Sequence, residues 1–79
     1  MTNKDRIILS LHEGHRITRL GKHSWGYEEL YEGKPSLQDR DTSALFRANL
    51  VYSTAGEMRL TIPGKIAAKR LIPGTGRTE

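Results

Sequence analysis

The chain has 79 residues, no cysteine, a formal net charge of +4 and a pI of about 9.8. That length suits one domain with a small core, and the lack of thiols excludes disulfides and thiolate metal sites. No apolar run approaches the ~20 residues of a membrane-spanning helix, and Asp5 and Glu13 interrupt the N-terminal stretch where a signal peptide would be continuously apolar, so no membrane partner and a cytoplasmic location are expected.

The first helix is expected over "TNKDRIILSLHEG". Thr2 and Asp5 have the spacing of a capping box with Asp in place of Glu; Ile7, Ile8 and Leu11 share one face, and Gly14 suits a left-handed stop. "HRITRL" (15–20) has the mixed pattern of a short strand, and "GKH" makes a turn. "SWGYEELYEG" reads as a second strand carrying Trp25, Tyr27 and Tyr31. Residues 28–30 can instead begin a helical turn, and Gly33 and Pro35 end the segment.

A second helix is expected over "PSLQDRDTSALFRANLV", with Ser36 as N-cap and Leu37, Ala44, Leu45 and Ala48 as the buried face. Asn49 stands where a left-handed residue is wanted. A hairpin follows: strand 50–53, a "TAGE" turn using the positive φ open to Gly56, and return strand 58–61. Met58 and Leu60 point one way along it, Arg59 and Thr61 the other. Thr61 then caps a last helix with Pro63 in its first turn. Its inward face is expected to be Ile62, Ile66 and Ala67, completed by Leu71 or the stem of Arg70. Pro73 stops it, leaving one domain over 1–73 and a mobile tail over 74–79.

The stretch "ALFRANLVYSTAGEMRLTIPGKIAAKRL" resembles the second half of a winged helix-turn-helix. Asn49, the Leu50–Val51 pair, the turn at Gly56, Leu60–Thr61 and Gly64 carry the likeness. It implies an α+β, winged-helix-like domain in the order helix, β-hairpin, helix, β-hairpin (the wing), helix. The departure is "HRITRLGKHSWGYEELYEGKPS", which reads as a hairpin where the family has its second helix. The resemblance also implies double-stranded DNA as partner, a role in transcription regulation, and a homodimer covering two half-sites.

Charge is arranged to match. Lys4, Arg6, Arg16, Arg19 and Lys22 make the first third basic, and Arg59, Lys65, Lys69, Arg70 and Arg77 the last. Glu28, Glu29, Glu32, Asp39 and Asp41 make an acidic waist. On the helix matching the recognition helix, Gln38, Arg40, Ser43 and Arg47 are candidate nucleic-acid contacts, opposed by Asp39 and Asp41. An ordinary solvated face with internal Arg–Asp pairs is the plainer interpretation. Arg59, Lys65 and Lys69 form a stronger phosphate-binding set on the wing and closing helix, although short helices often carry such charges for solubility alone.

Trp25, Tyr27 and Tyr31 are expected to cover the core. As an alternative they anchor a protein partner, with Glu28 favouring a basic one; this would make the chain a protein-binding inhibitor or adaptor of the kind phage and mobile elements encode. His12 and His15 straddle Gly14 and, with His23, complete no metal motif. No nucleophile elbow or phosphate-binding glycine loop is present. Neither a cofactor nor enzymatic activity is expected.

Overall fold

The computed structural model describes residues 2–22 and 24–72. Its order is α1 (Asn3–His12), β1 (Ile17–Arg19), β2 (Trp25–Tyr27), α2 (Asp39–Arg47), β3 (Val51–Thr54), β4 (Glu57–Leu60) and α3 (Ile62–Leu71). This is the expected α+β class and element order. The strands form one antiparallel sheet, β2-β1-β4-β3. Pairing of Ile17 with Met58 joins the two hairpins, an arrangement compatible with a winged-helix-like fold.

α1 starts at a complete capping box: the Thr2 hydroxyl accepts the Asp5 N–H at 3.2 Å, and the Asp5 carboxylate accepts the Thr2 N–H at 3.3 Å. It ends at Gly14, whose φ of +101° lets the His15 N–H return to the Ser10 carbonyl. Period-two alternation aims Ile17, Trp25, Val51, Met58 and Leu60 into the core, where Ile7 and Ile8 of α1, Leu45 of α2 and Ala68 of α3 meet them. The opposite face presents Tyr52, Glu57 and Arg59, in register across β3 and β4.

The elements depart from expectation at four places. β1 and β2 are shorter than the stretches from which they were read, and residues 28–38 form neither strand nor helix. The helical turn open to residues 28–30 is therefore not made. The segment is tied down instead by Arg6, which donates to the Gly33 carbonyl at 2.6 Å.

α2 is capped by Gln38, not Ser36, and Gln38 makes no side-chain capping bond. The Ser36 carbonyl is occupied by the Asn3 amide at 2.7 Å, which holds the preceding chain extended. The buried face is also rotated: Thr42 and Leu45 are buried, Leu37 and Phe46 pack on the core, and Ala48 is exposed. The cause is volume, because the Phe46 ring packs tilted against Trp25 at 5.7 Å and takes the inward position that Ala48 would leave unfilled.

The wing turn is tighter than "TAGE". Ala55 and Gly56 both have positive φ, +51° and +78°, the two-residue geometry whose twist matches a β-hairpin. The paired strands accordingly run one residue closer to the turn than expected.

On α3, Ile62 and Ile66 are 74% and 48% exposed, whereas Gly64 and Ala68 are buried. The helix seats Gly64 directly beneath the Leu50 carbonyl, a position open only to a residue without Cβ. That contact turns the two isoleucines outward. The expected stop at Pro73 and the tail at 74–79 lie outside the described residues. Among the described residues no helix is long and apolar enough to cross a membrane.

Candidate nucleic-acid interface

Arg59, Lys65 and Lys69 line one groove of about 510 Å³. Local structure explains how three positions spread over two elements converge. Arg59 alternates with inward Met58 and Leu60, so its side chain emerges on the open face. Thr61 then turns the chain at once into α3, accepting the Gly64 N–H at 3.0 Å and donating to the Asn49 carbonyl at 2.6 Å. Asn49 is left-handed as expected, with φ +61°. Lys65 and Lys69 stand one helical turn apart on the same side of α3.

The groove exists because β1 and β4 part company. Their pairing covers Ile17–Met58 and Thr18–Glu57 only; before Ile17 the chain swings toward the end of α1. The edge of β4 at Arg59 and Leu60 is therefore left unpaired by β1, beside an opening bounded by Leu11, Gly14, His15 and Arg16 and edged by Tyr52. Tyr52 lies opposite Arg59 in the wing ladder and is 45% exposed. Its out-of-phase position beside buried Val51 was the sequence signal for an outward aromatic.

The electrostatics are asymmetric. Arg16, Arg59, Lys65 and Lys69 line the groove against the single carboxylate of Glu57. Glu57 accepts from Arg59 at 3.0 Å and lies 3.9 Å from Arg16, which is itself 3.5 Å from Glu28. Two arginines are thus held across the sheet by alternating carboxylates. Among the described residues, no ion pair involves Lys65 or Lys69. The groove carries a cationic surplus.

α2 forms a second, separate basic surface. Arg40, Ser43 and Arg47 follow i, i+3, i+7 spacing on one face, and Gln38 sits at its N-terminal end. None of the four lines the groove. The Asp41 carboxylate accepts from Asn3 of α1 at 2.9 Å, which ties it to α1 and leaves its negative charge in place. Asp39 stays exposed in the first turn, where the helix dipole favours it.

The aromatic hairpin is structural. Trp25 is 8% exposed, with the Arg19 guanidinium 5.3 Å from its ring. The Tyr27 hydroxyl lies 3.1 Å from the Ser10 hydroxyl, and desolvation of the half-buried phenol pushes its pKa up to about 12. Tyr31 meets Tyr27 edge-on and stacks on His15 with ring centroids 3.8 Å apart. Of the proposed partner anchors Glu28 is exposed, Tyr27 and Tyr31 are half-buried, and Trp25 is buried. Among the described residues no cluster of three or more His, Asp or Glu side chains is arranged to hold a metal.

Comparison with known proteins finds no match to a family model, a curated protein or a solved structure. The fold and this groove alone define the class: a small α+β domain presenting a basic cleft between a β-hairpin and its closing helix.

Proposed function

We propose that this is a winged-helix-like nucleic-acid-binding protein, acting in regulation, which grips phosphate through the wing strand and closing helix. The observation that carries this reading is the convergence of Arg59, Lys65 and Lys69, joined by Arg16, on one groove. Cations gathered against a single carboxylate attract a polyanion and release its counterions on binding. The α2 stripe of Arg40, Ser43 and Arg47 adds a second contact surface for a long ligand. Arg59→Ala combined with Lys65→Ala is expected to abolish low-salt binding to mixed-sequence DNA, read by fluorescence anisotropy, while the wild type loses affinity steeply as salt rises. A wild-type protein that leaves DNA unshifted at low salt overturns the proposal.

A second reading, a protein-binding adaptor on the same scaffold, draws on a different observation. Ile62 and Ile66 are exposed one turn apart on α3, beside its basic residues, an apolar stripe suited to a protein partner or a second copy of the chain. Sedimentation equilibrium together with Ile62→Ser/Ile66→Ser tests for the second copy; a monomer at all concentrations rules that form out.

A further inference from the structure

We infer that the groove takes an unpaired nucleotide, so that the protein binds single-stranded nucleic acid in preference to blunt duplex. This rests on the nucleic-acid reading above and specifies its ligand.

A purely phosphate-binding surface needs cations and nothing else, and a duplex would present to it only the outside of a stiff rod. This groove has a further feature. Beside the half-buried Leu11, its edge carries Tyr52, 45% exposed on the open face of the wing. Such a ring gains nothing from a sugar–phosphate backbone. It matches the flat, weakly hydrated face of a base, which a duplex keeps inside its stack. Sequence-tolerant single-strand binding combines a basic groove with an aromatic on which a base stacks.

The cations fit the same ligand. Lys65 and Lys69 are about 6 Å apart along the axis of α3, close to the phosphate repeat of an extended single strand. Arg59 lies across from Tyr52 in the ladder, on the same face of the wing. Glu57 holds that guanidinium at 3.0 Å and so presents it in one orientation. A base against Tyr52 with its flanking phosphates on Arg59, Lys65 and Lys69 uses the exposed aromatic and three of the cations that line the groove. The volume of about 510 Å³ is ample for one nucleotide, within the usual range for small-ligand sites.

The experiment is an anisotropy titration with a labelled mixed-sequence oligonucleotide of about 12 nucleotides, free and as a blunt duplex, at one low salt concentration. The single strand is expected to bind roughly tenfold tighter, the scale of one base–aromatic stack. Tyr52→Leu should reduce that preference to near unity while leaving duplex affinity unchanged, and Tyr52→Phe should keep it. Lys65→Ala/Lys69→Ala should weaken both ligands alike. Far-ultraviolet circular dichroism on each variant establishes that the fold is intact. Equal affinities, a duplex preference, or an unaltered preference in folded Tyr52→Leu would overturn the inference and leave the nucleic-acid reading standing. Binding of neither ligand would overturn both.

Discussion

Gly64 lies so close to Leu50 that a methyl group on its α-carbon would overlap the Leu50 carbonyl oxygen and press on the Leu60 side chain. Leu50 leads into the wing, and Gly64 is in the first turn of α3, so this contact sets the angle at which Lys65 and Lys69 reach the groove. Backbone is the obstacle, not a mobile side chain, and relief requires the helix to move. Gly64→Ala is expected to destabilise the domain by about 3 kcal/mol, measured by urea unfolding. An unchanged midpoint would mean that α3 does not dock through this glycine.

Thr61 links the same two segments by hydrogen bonds, capping α3 and reaching the Asn49 carbonyl. Thr61→Ala removes both and is expected to lower stability by roughly 1–2 kcal/mol. Thr61→Ser keeps the hydroxyl and should recover most of that loss. Equal losses in the two variants would assign the effect to the methyl group instead.

Tyr27 predicts an alkaline transition. Its phenol is harder to ionise in the folded chain, at about 12, than in the unfolded chain near 10.0, chiefly because the hydroxyl is desolvated. The neutral form therefore stabilises the native state fully below pH 10. As pH rises from there through about 12, the unfolded chain releases the proton first and that contribution is lost. Thermal unfolding of wild type and Tyr27→Phe should converge over this window, the wild type falling more steeply. At neutral pH the Phe variant loses the bond with Ser10, about 1 kcal/mol. Parallel alkaline slopes would contradict the assignment.

Glu57 is the negative charge inside the groove, shared between Arg59 and Arg16. Its ion pairs are largely solvent-exposed on the arginine side, so Glu57→Gln is expected to change stability by less than about 1 kcal/mol. Removing one carboxylate from a basic groove should tighten nucleic-acid binding and steepen its salt dependence by about one phosphate-equivalent. A weaker complex would show that orienting Arg59 matters more than the charge that Glu57 cancels.

Much of the backbone plan was legible because single residues dictate it. Thr2 with Asp5, Gly14, Asn49, Gly56 and Thr61 each have a local reason to stand where they do, and each occupies the expected conformation or cap. Facing was less legible, because it depends on distant partners. Ala48 and Phe46 are equally admissible on a helical wheel until Trp25 arrives from another element. Asp41 looked like part of a surface row until Asn3 claimed it. For the groove, the three cations were nameable from strand alternation and helix spacing, but their neighbours were not. Arg16 and Leu11 join them only because the chain before Ile17 does not continue the short pairing of β1 with β4.

The outward turn of α3 gives the sharpest contrast between pattern and packing. Ile62 and Ile66 have helical spacing that ordinarily marks a buried face, yet Gly64 and Ala68 occupy it. Replacing the exposed isoleucines with serine should then leave stability within about 0.5 kcal/mol of wild type. Ala68→Leu, by contrast, forces extra methylenes into a site with no exposure and should destabilise by about 1–3 kcal/mol. Urea midpoints for both, taken at a high and a low protein concentration, measure this. A large loss in Ile62→Ser/Ile66→Ser that disappears on dilution would reveal a second copy seated on the stripe, whereas a concentration-independent loss would mean that the helix docks by its isoleucines and that the facing described for α3 is wrong.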